Sequence, residues 1–155
     1  MTNPADLSIP EAAAALRSGR LTSRALTEAS LDRIAKRNDL LHAFTHVNPD
    51  ALAEADRADA LLAQGGGGVF CGIPIGVKDL IDVADQPATS GSAVLAGRIA
   101  DRDAAAVGRL REQGAVLVGK LATYEFAMVG PDLKLPDPPA RNPWNLDHVT
   151  GGSSS

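Results

Sequence analysis

The chain of 155 residues is 45% hydrophobic and 22% charged, the size and make-up of one folded domain rather than a disordered chain. Its net charge of −4 argues against a nucleic-acid-binding module, which normally carries a basic surplus, and gives no hint of a polybasic membrane surface. Aromatic residues make up only 3%, so the core has to be built mainly from Ala, Leu, Val and Ile.

Cys71 is the only cysteine. It allows no internal disulfide and, between Phe70 and Gly72, reads as a small core filler rather than a nucleophile. The N-terminus has no basic stretch leading into an apolar run. No apolar segment approaches the roughly 20 residues of a membrane-spanning helix. The expectation is a soluble, cytoplasmic protein that contacts neither membrane nor nucleic acid.

In chain order, Ser8-Ile9-Pro10-Glu11 forms a capping box that opens a short helix closed by Gly19. Thr22 caps a second helix, in which Leu26, Ala29, Leu31, Ile34 and Ala35 make an apolar stripe ended by Asn38-Asp39. The segment HAFTHV reads as a short extended piece. Asn48-Pro49-Asp50 then turns the chain into a third helix through about Leu62, with alanines and charges that suit the surface. Gly65 to Gly68 reads as a loose connector. VFCGIPIGVKDLIDV, rich in β-branched residues and without a helical period, reads as strand. QPATSGS is a loop, Asp101 to Gln113 a helix capped by Gly114, and AVLVGKL a buried strand of parallel type. Strand, helix and strand make a crossover unit. Beyond it, PDLKLPDPPARNPWNLDH reads as proline-rich irregular chain.

The candidate motifs differ in weight. GAVLVGKL fits the glycine and lysine spacing of a phosphate loop. It ends in Leu121 where a hydroxyl is needed, and its interior is strand-forming, so it reads as a strand end at Gly119-Lys120. His42 and His46 lie in an extended segment with no third ligand nearby, and they read as surface or helix-end residues. His148 beside Asp147 lacks a serine-bearing elbow.

Lys78 is unexpected in an apolar strand. A buried ammonium has to be paired or lose its proton, and a lysine that loses it is a general base near neutral pH. Asp79 is the obvious partner, yet neighbouring strand side chains leave on opposite faces. The tail TGGSSS reads either as a flexible linker or as a glycine-enabled loop that presents hydroxyls.

GIPIGVKDLIDVADQPATSGS, GAVLVGKLATYEFAMVG, NPWN and TGGSSS, in that order, resemble the amidase signature family. Lys78 and Ser153 stand 75 residues apart, the spacing the family places between its catalytic lysine and its loop serine. The resemblance implies an α/β/α fold with a mixed sheet flanked by helices, present only as its N-terminal part. Residues 1–64 would be a helical segment and residues 65–155 the start of the α/β core, one partial domain overall.

It also implies amide-bond hydrolysis by a Ser–cis-Ser–Lys chain. Lys78 is then the base, Ser153 the cis-serine that relays the proton, and Ser154 a second loop serine that supports the network. Ala127 and Met128 fall in the segment that borders the acyl pocket, with plain core packing as the alternative. The substrate would be a small-molecule amide, with no metal or organic cofactor.

In the family, the nucleophilic serine and the oxyanion hole lie in a second glycine-rich loop beyond the position of Ser155. The expectation is therefore that these 155 residues alone do not turn over substrate. Ala122 departs from the family, which often has Asn there. Two other readings stand beside the hydrolase. One is a glutaminase-type A subunit of a tRNA-dependent amidotransferase, so that the expected protein partner is either a second copy in a homodimer or amidotransferase partner subunits. The other is a non-catalytic α/β interaction module.

Overall fold

The computed structural model describes residues 3–128, 130 and 138–154. Its helices are α1 (Ile9–Arg17), α2 (Ser23–Leu41), α3 (Ala51–Ala63) and α4 (Ala105–Glu112), and its strands are β1 (Phe44–Val47), β2 (Pro74–Lys78) and β3 (Val116–Leu121). The strands hydrogen-bond in the order β1-β3-β2. β1 runs antiparallel to β3. Val116 N–H donates to the Ile73 carbonyl near the start of β3 and Asp79 N–H to the Leu121 carbonyl at its end, so β2 and β3 run the same way. The sheet is therefore mixed, as the resemblance implies. Part of the expected irregular stretch, residues 131–137, lies outside the described residues. No helix among the described residues is long and apolar enough to cross a membrane.

The chain divides into two compact units whose segments interleave. The first comprises Met1–Ala35, Asn48–Ile75 and Ala105–Val118. One cluster of its core is Ala12, Leu16, Leu26 and Ile73, with Leu7, Leu21, Leu62 and Ile75 packed around them. α1 starts as expected: the Ser8 N–H donates to the Glu11 carboxylate at 2.8 Å, and Gly19 turns the chain at a positive φ of 69°. Thr22 Oγ1 accepts from Ala25 N–H at 3.1 Å. The α2 cap has a second part, since the Asp59 carboxylate accepts from the N–H groups of Ser23 and Arg24 at 2.6 and 3.0 Å.

Three expectations change in this unit. The α2 stripe is narrower than its sequence period: Leu26 is buried, Leu31 and Ile34 are half-buried and Ala35 is exposed. Ser23 is buried instead, its hydroxyl donating to the Gly72 carbonyl at 3.0 Å. α3 is not a plain surface helix, because it buries Ala51, Glu54, Ala55 and Ala58. The Glu54 carboxylate tolerates burial because it accepts from Arg111 at 2.9 Å and from Leu117 N–H at 2.8 Å. The four glycines are not a loose connector either. A Cβ at Gly67 would lie 2.3 Å from Cys71 Sγ, and Gly68 N–H donates to the Gln113 carbonyl at 2.9 Å. Cys71 itself is the buried core filler expected, and burial raises its thiol pKa.

The second unit comprises Lys36–Val47, Gly76–Ala104 and Gly119–Ser155. α2 continues through Asn38-Asp39 to Leu41. The Asn38 amide instead grips the incoming strand, donating to the Phe44 carbonyl at 2.8 Å and accepting from Phe44 N–H at 2.7 Å. Val47 pairs with Gly119. Glycine is required there, since a Cβ would lie 2.1 Å from the His46 carbonyl oxygen. The lysine strand is shorter than expected, because Ile81 N–H donates back to the Lys78 carbonyl at 2.9 Å and ends the extended run. The chain before α4 is also non-helical to Ala104. Asp103 there accepts from Ala84 N–H at 2.8 Å, and Ala104 N–H donates to the Asp82 carbonyl at 3.0 Å.

Candidate active site

β2 places Lys78 at its C-terminal end, half-buried. Its Nζ donates to Ser153 Oγ at 2.8 Å. The tail is therefore no free linker. It forms a turn in which Gly151 adopts a positive φ of 90° and the Gly152–Ser153 peptide bond is cis. An amine and a hydroxyl at this separation are within direct proton-transfer reach.

The segment that follows β3 holds this turn. The Ser153 carbonyl accepts from Thr123 Oγ1 at 2.9 Å and from Tyr124 N–H at 3.3 Å. Thr123 and Ser154 form an isolated antiparallel bridge. Tyr124 donates its hydroxyl to the Gly151 carbonyl at 2.6 Å. Ser154 has an exposed side chain at the end of this turn.

Lys78 is not the deeply buried lysine that its apolar surroundings suggest. That residue is Lys120, fully shielded from solvent. Its Nζ lies 3.3 Å from the Asp79 carboxylate and donates to the Ile81 and Pro87 carbonyls at 2.9 and 2.7 Å. Burial lowers the Lys120 pKa and the charge of Asp79 opposes that shift. Asp79 is thus committed to Lys120 and also accepts from the Thr89 hydroxyl. This agrees with the strand argument that Asp79 faces away from Lys78.

Sequence reasoning missed the Lys120 pair, although the signal was present. A lysine inside AVLVGKL is as anomalous as one inside IGVKDL. The phosphate-loop spacing of the same stretch hides the buried charge.

Ala127 and Met128 are not packed as core. Ala127 is half-buried with φ 58°, and Met128 is 85% exposed. They lie on and just after the Glu125–Ala127 turn, which is anchored by Ser92 donating to the Glu125 carboxylate at 2.6 Å and Phe126 N–H donating to the Ser90 carbonyl at 2.9 Å. Ala122, at the position that departs from the family, is buried and donates its N–H to the Ala43 carbonyl at 2.9 Å.

His46 pairs with Lys120 across the sheet. Its pKa is lowered from 6.5, first by burial and then by the Lys120 charge. A histidine held neutral on folding contributes fully above its unfolded pKa of about 6.5. That contribution is lost as the pH falls from there to the lowered folded value. The expected NMR titration of His46 has its midpoint below that of the same histidine in the unfolded chain. A midpoint at or above the unfolded value contradicts the assignment.

The family model described as Amidase matches residues 25–155. Among curated relatives, the A subunit of glutamyl-tRNA(Gln) amidotransferase from Paenarthrobacter aurescens (strain TC1) is 41% identical over 94% of this chain and 29% of its own length. The protein of the same name from Pelobacter propionicus is 42% identical over 96% of this chain and 31% of its own. Among solved structures, the native peptide amidase of Stenotrophomonas maltophilia superposes with a TM-score of 0.87 at 34% identity, covering 97% of this chain and 32% of that one. The chain thus spans about a third of the length of the relatives it matches. With the family model matched over most of its residues, it belongs to the amidase family.

Proposed function

We propose that the protein is an amide hydrolase in which Lys78 and Ser153 form the proton-accepting end of a Ser–cis-Ser–Lys chain. The observation that carries this is the 2.8 Å hydrogen bond between Lys78 Nζ and Ser153 Oγ. The Lys78 amine takes the Ser153 proton as Ser153 takes the proton of a nucleophilic serine, placed by the resemblance beyond Ser155. The serine oxygen adds to the amide carbonyl, and the C–N bond breaks as the proton returns through Ser153 to the departing nitrogen. Water then hydrolyses the acyl-enzyme. Ser154 supports the turn, and Ala127 with the exposed Met128 borders the acyl group. A lone buried thiol accords with a cytoplasmic setting.

A second reading keeps the chemistry and changes the assignment: a glutaminase-type subunit that works with partner subunits. The amidotransferase relatives at 41% and 42% identity favour it. The test is ammonia release by the full-length protein from small carboxamides and from glutamine, with and without candidate partner subunits. Release from a small carboxamide by the protein alone is the expected result. Release from glutamine only with partners selects the second reading, and no release under any condition refutes both.

A further inference from the structure

We infer that Tyr124 is the positioning residue of the serine turn, fixing Ser153 Oγ on the Lys78 amine. This rests on the proposed roles of Lys78 and Ser153 and adds the element that sets their geometry. The turn carries two glycines, and within it Thr150 Oγ1 donates to the Gly151 carbonyl at 3.1 Å. Tyr124 touches it three ways. Its hydroxyl donates to the Gly151 carbonyl at 2.6 Å, and its own N–H donates to the Ser153 carbonyl at 3.3 Å. Its ring fills the space that a side chain at residue 152 would need, since a Cβ on Gly152 would lie 2.1 Å from Tyr124 Cε2 and 2.4 Å from Cζ. Gly152 is therefore a seat for the Tyr124 ring, and one side chain grips both residues before Ser153. Tyr124 follows directly on Thr123, whose hydroxyl holds the Ser153 carbonyl at 2.9 Å. The whole clamp is thus carried by the exit of β3.

The test uses the full-length protein and measures kcat, KM and thermal midpoint for Tyr124→Phe, Tyr124→Ala, Gly152→Ala and Tyr124→Ala/Gly152→Ala. Tyr124→Phe keeps the ring and removes one hydrogen bond. It should lower kcat about tenfold with KM and thermal midpoint little changed, as expected for a small misplacement of a catalytic group. Gly152→Ala should lower kcat by about a hundredfold where Tyr124 is present. It should cost far less in the Tyr124→Ala background, where the ring is gone. A merely structural tyrosine would move the thermal midpoint and leave kcat. Unchanged kcat in Tyr124→Phe, or an equal cost of Gly152→Ala in both backgrounds, overturns the inference. Lys78→Ala separates the two levels. If it is inactive while the Tyr124 variants are normal, only the clamp is wrong. If it remains active, the reading beneath the clamp fails too.

Discussion

Replacing Lys78 with alanine should lower kcat/KM for amide hydrolysis by the full-length protein by about a thousandfold, the middle of the range for loss of a general base. The expectation comes from placement. Lys78 is the last residue of β2 and half-buried, and its Nζ is bonded to the hydroxyl that it deprotonates in the proposed mechanism. The bond could instead be a static tie, and arginine distinguishes the two. Lys78→Arg keeps a cation and several donors, so a tie would be largely preserved, but a guanidinium does not give up its proton near neutral pH. Both variants should be similarly inactive while their thermal midpoints stay close to the parent. Substantial activity in Lys78→Arg would reduce Lys78 to a structural donor.

The largest stability effect is expected at Asp79. Asp79→Ala leaves the Lys120 ammonium in a site with no solvent exposure and without its counter-charge. Breaking a buried pair by removing one partner costs about 3–5 kcal/mol. The loss would be read as a lower urea midpoint at constant slope. Asp82 provides the control. Its bond to Arg98 is shorter, 2.7 Å against 3.3 Å, but the two side chains are 32% and 39% exposed. A solvent-screened pair contributes little, so Asp82→Ala should scarcely move the midpoint. Distance alone would rank the two pairs the other way. Replacing both buried charges, in Asp79→Asn/Lys120→Met, should recover much of the loss, because the uncompensated ion is gone. Equal effects of Asp79→Ala and Asp82→Ala would contradict the picture of a buried pair.

What the sequence reveals here follows the range of the interactions. The Ser8–Glu11 box, the Asn48-Pro49-Asp50 turn and the Gly114 cap involve residues a few positions apart, and they lie where local rules place them. Asn38 defeats those rules because its amide bonds Phe44, a partner that makes an interior helix position worthwhile. Gly68 looks like slack until the fold brings Gln113 against it. Asp79 shows the same limit: strand alternation correctly turns it from Lys78, but nothing local names Lys120. Lys78 alone stands out in its apolar strand, but its pairing with Ser153 was suggested only by the order and spacing of family motifs, since no periodicity joins residues 75 positions apart. Tyr124 was not legible at all. Its task exists only where the exit of β3 meets the serine turn.

In the proposed hydrolysis Lys78 and Ser153 act as one unit. The most direct test is a double-mutant cycle on kcat/KM, with Lys78→Ala, Ser153→Ala and the two combined in the full-length protein. Residues in a single proton path are strongly non-additive. A shared path gives a double variant no less active than the weaker of the two single variants. Losses that multiply, giving a double variant far below either single one, would show instead that the two residues act independently.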